Sequence, residues 1–188
     1  MRWMTLYARS RQMPASLLAL VVCTVGIRLA VGNQWSLFFV TLTLAAAVAV
    51  SATGLSGQDI ELDRTAAFNW LPRRLGHILL IGVLAGGVLL LVQAPGDTQV
   101  ATSAVLRDGA GLLGLAGLAA TLFGGQFGWT FPLLWTVVAL FVPDPDPTAV
   151  SGAVAWPLLS TEAPLGWWMA GILFGVGTAA YTLVGARR

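Results

Sequence analysis

Ten arginines, eight acids, one histidine (His77), one cysteine (Cys23) and no lysine make up the chemistry available in 188 residues. Arg28, Arg107 and Asp108 fall inside apolar stretches, where an ionisable group is expensive and is a functional candidate by default. Each lies close enough to the end of its stretch for a long side chain to reach the surface, so mutual pairing and snorkelling are the competing structural readings. Arg28 is expected to be neutralised by Asp108 or Asp97. His77 follows Arg73 and Arg74 and reads as an interfacial histidine rather than a general base. Cys23 alone excludes an intrachain disulfide and a multi-cysteine metal site.

Catalytic spacings are missing. The chain has no GxSxG, HExxH or GxxxxGK[ST], so it has no Walker-type apparatus for hydrolysing ATP. Catalysis, metal and cofactor chemistry are therefore not expected in this chain.

The elements that carry these residues are dictated by composition. The chain is 57% hydrophobic and 10% charged with a mean hydropathy of +0.81, against roughly 25% charged residues in soluble proteins. An all-α polytopic membrane protein forming one transmembrane domain over 1–188 follows, with no room for a folded soluble module. The net charge of +2 sits at the ends of apolar stretches and does not point to nucleic acid. Six stretches are long and apolar enough to be read as spans: 15–31, 36–54, 75–93, 104–124, 127–142 and 165–184. The fifth is short for a bilayer crossing, which takes about 20 residues. The first passes directly into the second without a cleavage site, so no cleaved signal is expected.

Sidedness comes from arginine. With both termini in the cytoplasm, the inner segments hold Arg2, Arg9, Arg11, Arg64, Arg73, Arg74, Arg187 and Arg188, and the outer ones hold Arg28 and Arg107. Segments 94–102 and 143–164 are then external. Gly82-x-x-x-Gly86 and Gly171-x-x-x-Gly175 are small-residue faces on which helices approach closely.

Three linking segments carry more information. Residues 1–13 alternate Arg2, Arg9 and Arg11 with Trp3, Met4, Leu6 and Tyr7, as expected for a helix lying in the membrane interface. Residues 58–70 read as a short cytoplasmic helix begun by Ser56-x-x-Asp59 and crowded with Asp59, Glu61 and Asp63 at its positive end. Its Ile60, Leu62, Phe68 and Trp70 form an apolar set suited to docking on a protein or on the inner interface. Residues 143–164 begin Pro-Asp-Pro-Asp-Pro and turn apolar at 149–159. That run is too short to span, and reads either as a re-entrant or interfacial hairpin with Trp156, Trp167 and Trp168 in the aromatic belt or as an ordinary loop.

This layout resembles the six-span membrane (permease) subunit of a bacterial ATP-binding-cassette (ABC) exporter. In that family an elbow helix precedes the first span, a coupling helix joins the second to the third, and a partly re-entrant segment joins the fifth to the sixth. Small actinobacterial-type integral membrane proteins associated with ABC ATPases are similar in the runs LDRT (62–65) and LPRRL (71–75), LRDGAGLLGLAGL (106–118) and AWPL (155–158). The resemblance implies a multi-pass protein of the bacterial plasma membrane that pairs with a second permease copy or a different permease subunit. An ABC ATPase dimer, carrying ATP and Mg, would grip Ile60, Glu61, Leu62, Asp63, Arg64 and Phe68. The cargo would be apolar or amphipathic, such as a lipid or peptide. A six-span substrate-binding component of a vitamin or metal uptake system fits the same length, and a structural or accessory membrane protein is a third reading.

Overall fold

The apolar stretches all fold as helices in a computed structural model, which describes residues 13–32, 34–55 and 71–187. In chain order these are α1 (Met13–Val31), α2 (Leu37–Ala52), α3 (Leu71–Gln93), α4 (Thr102–Phe123), α5 (Thr130–Leu140), α6 (Val150–Val154) and α7 (Pro164–Val184), with no strand among the described residues. The expected elbow at 1–13, apart from Met13, which opens α1, and the expected coupling helix at 58–70 lie outside the described residues, including Ile60, Glu61, Leu62, Asp63, Arg64 and Phe68.

Length separates the helices. Three are long and apolar enough to cross a membrane: α3, α4 and α7; Ser16–Val31 within α1 and all of α2 are shorter apolar helices. The fifth stretch departs furthest from expectation, since α5 has 11 residues, about 16 Å at 1.5 Å per residue. Its start is delayed by glycine. Gly124 closes α4 at φ 107°, donating to Ala120 O at 3.1 Å, and the chain then makes a 3₁₀ turn over Gly125–Phe127 before α5 begins. A residue with a Cβ rarely adopts that φ, so the break is local to the sequence.

The helices gather around α4. Most of its spanning window, 72%, is buried, against 28% for α3 and for α7, and it touches α2, α3, α5 and α7. Its closest neighbour is α7, at a crossing where Gly114 faces Gly177 backbone to backbone; a Cβ on Gly117 would stand 2.6 Å from Gly177 O. Gly82 and Gly86 face Leu113 and Val105 of α4. Gly171 and Gly175, expected as a packing face, instead have nothing within 4 Å of a built Cβ and lie on the exposed side of α7.

Outward surfaces are apolar. Leu29 is 80% exposed, Val83 71% and Leu183 69%, an inside-and-outside apolar pattern that suits hydrocarbon and not water. The buried hydroxyls of Thr24, Thr43, Thr121, Thr178 and Thr182 turn back to carbonyls of their own helices, which satisfies them without solvent.

The links sort into two ends. At one, the Trp35 amide donates to Thr98 Oγ1 at 2.6 Å, joining the α1–α2 link to the α3–α4 link, and residues 143–163 lie against the start of α4. At the other, Tyr181 Oη donates to Leu55 O at 3.1 Å and the Arg187 amide to Ala120 O at 3.1 Å. Arg73, Arg74 and Arg187 belong to this second end, and Asp97, Asp144, Asp146 and Glu162 to the first.

Candidate functional site

Two turns into α4, Arg107 and Asp108 are both wholly buried, and they form the one ion pair found among the described residues, Nε to Oδ1 at 2.8 Å. Charges taken out of water need every lone pair and proton engaged, or burial costs more than attraction returns. Here the engagement is nearly complete. Thr41 Oγ1 of α2 donates to Asp108 Oδ2 at 3.2 Å, while Arg107 sends Nη2 to Pro157 O and Nη1 to Ser160 O, each at 3.0 Å.

The fork geometry of a guanidinium explains why an arginine sits here. It reaches a carboxylate on one edge and two carbonyls on another, which an ammonium on a flexible stem does not do in a plane. The carbonyls need those donors because residues 156–160 are a 3₁₀ turn and irregular chain, and a buried carbonyl outside regular structure must find its partner elsewhere in the protein.

Two glycines make the seat. The Trp156 ring occupies the space a Cβ would take at Gly111, one turn beyond Arg107, and Arg107 Nη1 would stand 3.0 Å from a Cβ on Gly166. Trp156 is thus wholly buried against α4 rather than placed in an aromatic belt, whereas Trp167 and Trp168 are 43% and 70% exposed. A further tie runs from Trp135 Nε1 of α5 to Val154 O at 2.9 Å.

Beside that tie is a half-open groove of about 480 Å³ between α4, α5 and α7, lined by Leu115, Leu118, Phe131, Leu134 and Leu173 and bounded by Trp135 and Val154. Every side chain on its wall is a hydrocarbon or an indole.

The remaining candidates are placed apart from this cluster. Arg28 does not meet Asp108 or Asp97: it is half-buried and donates to Gly32 O at 2.5 Å, capping the end of its own helix. His77 is buried near the start of α3. Arg74 Nη1 lies 3.5 Å from Thr182 O, against the last turn of α7, where a cation is favoured by the helix dipole. On the 143–163 segment, the amide and hydroxyl of Thr148 donate to Asp146 Oδ1 at 2.8 and 2.7 Å and hold its carboxyl below the usual range.

Arg107 and Asp108 carry no nucleophile–base geometry. Their hydrogen bonds fix backbone, so the cluster positions a segment. Thr41, Gly111 and Gly166 were not singled out as site residues from sequence. The four-residue spacing of Arg107 and Gly111 was the available signal, since it puts both on one face of α4. Comparison with known protein families, curated proteins and solved structures finds no match to this chain.

Proposed function

We propose that the chain is the membrane-embedded permease subunit of an ATP-driven exporter, worked by a separate ABC ATPase dimer that carries ATP and Mg. In this reading α1, α2 and α5 cross the bacterial plasma membrane together with α3, α4 and α7, giving six spans with both termini in the cytoplasm. The 56–70 link then faces the ATPase, and Ile60, Glu61, Leu62, Asp63, Arg64 and Phe68 make the contact. A second permease copy or a different permease subunit completes the pathway.

The single observation that carries the proposal is the irregular 143–163 segment, seated on α4 between the fifth and last apolar helices. Ionisable groups inside apolar helices are functional candidates by default, and this pair is spent on holding that segment. The half-open apolar groove beside it suits an apolar or amphipathic cargo, such as a lipid tail or a hydrophobic peptide, because nothing on its wall would recognise an ion or a sugar.

The test is affinity purification of the tagged chain from its native membrane in mild detergent. Recovery of an ATP-binding-cassette ATPase in stoichiometric amount is expected. Recovery of the chain alone, or with partners lacking any nucleotide-binding subunit, contradicts the proposal.

A further inference from the structure

We infer that residues 143–163 form a strap that lifts from the bundle as a unit, and that the guanidinium of Arg107 is its latch. Its service as the outer gate of a transport path rests on the exporter reading; its opening does not.

The segment holds itself together. Ala149 N donates to Asp146 O at 3.1 Å, Gly152 N to Ala149 O at 3.1 Å, Ala155 N to Ser151 O at 2.9 Å, Leu158 N to Ala155 O at 2.9 Å and Ala163 N to Ser160 O at 3.1 Å. By contrast, among the described residues no backbone hydrogen bond joins it to α2, α4 or α5. The side-chain ties to the bundle are Arg107 to Pro157 O and Ser160 O, Trp135 to Val154 O, and Trp167 of the adjoining α7 to Thr161 O. Its first end is a bend at Asp144, with φ 43° between two prolines, and its second is the Ala163–Pro164 junction with α7.

Trp156 makes the closed position a balance. Its ring is wholly buried against Gly111, which favours closure, yet its Nε1 donor is buried with no partner. A buried indole N–H without an acceptor carries a desolvation cost that lifting into the interface removes. The two Arg107 bonds, charge-assisted and directed at backbone, tip the balance to closed. Val154 of the strap and Trp135 bound one end of the half-open apolar groove, so lifting the strap widens that end.

The experiment is labelling of Ala155→Cys in a Cys23→Ala background by a bulky thiol reagent, on the purified protein in detergent, where both ends of the bundle are open to reagent. Slow labelling is expected with Arg107 in place. Arg107→Gln and Arg107→Lys should each raise the rate roughly tenfold or more, because neither restores the fork. Labelling in Arg107→Lys and in Arg107→Gln/Asp108→Asn as slow as in the parent would show that Arg107 serves only as the charge partner of Asp108, and overturns the latch. A strap that responds to these variants but not to ATP in the ATPase complex leaves the latch standing and removes its role as an exporter gate.

Discussion

Arg107 and Asp108 are neighbours in sequence and partners in space, meeting at 2.8 Å with neither side chain exposed. Consecutive helical residues normally diverge by about 100°. Here Arg107 Nε nonetheless meets the Asp108 carboxylate, and Nη1 and Nη2 remain to hold Ser160 O and Pro157 O.

Removing one member should therefore cost more than removing both. Arg107→Ala leaves a buried carboxylate and two strap carbonyls without donors, and should destabilise the protein by about 3–5 kcal/mol. Arg107→Ala/Asp108→Ala should recover part of that loss, and Thr41→Val alone should cost about 1–3 kcal/mol. Reversible unfolding in mixed micelles, compared across the four proteins, checks the order.

The α4–α7 crossing gives a contrast between glycines of the same helix. A methyl group on Gly177 meets the backbone of Gly114, which has no side chain to move aside. Gly177→Ala should lower stability by about 1–3 kcal/mol through overpacking. Gly171→Ala and Gly175→Ala, with open space at the Cβ, should stay within about 0.5 kcal/mol of the parent. Thermal inactivation of the three variants side by side decides it.

Acid acts on the strap through Asp146. Two donors from Thr148 hold its carboxylate in the charged form, lowering its pKa below the usual 3.8. A depressed folded value means that the Asp146–Thr148 turn gains stability above the usual carboxylate pKa and loses it as pH falls through the lowered one. Hydrogen exchange at the Thr148 amide, corrected for intrinsic rate, should show protection falling below about pH 4, and Asp146→Asn should lack most of that pH dependence.

Arginine asymmetry predicts the sides. In right-side-out vesicles carrying Gln58→Cys in a Cys23→Ala background, an impermeant reagent should not label the protein until the membrane is opened. Outside labelling at position 58 reverses the assignment.

Hydropathy was enough to read where the helices lie, because burying a hydrogen-bonded backbone in an apolar medium leaves few choices. It was not enough to read their lengths: α5 is shortened by Gly124 and the 3₁₀ turn after it. Pairing of the charges within apolar helices was legible as a need, but its partners were not. Arg28 found a carbonyl freed at the end of α1, four residues on, and Asp108 was already taken by its neighbour. Gly171 and Gly175 share the spacing of true packing faces, and spacing alone does not say which side of α7 meets α4. Trp156 looked interfacial because tryptophan favours that zone; its burial depends on Gly111, a contact 45 positions away.

Phe68 offers the most direct test of the exporter proposal, since an apolar anchor at an interface centre carries much of the binding energy. The measurement is ATP turnover by the partner ATPase, reconstituted with this chain in liposomes, for Phe68→Ala and Gln58→Ala. Phe68→Ala should weaken assembly by about 1–3 kcal/mol and lower transport-linked turnover accordingly, while Gln58→Ala should leave both unchanged. Full binding and full coupling in a folded, inserted Phe68→Ala protein would contradict the account.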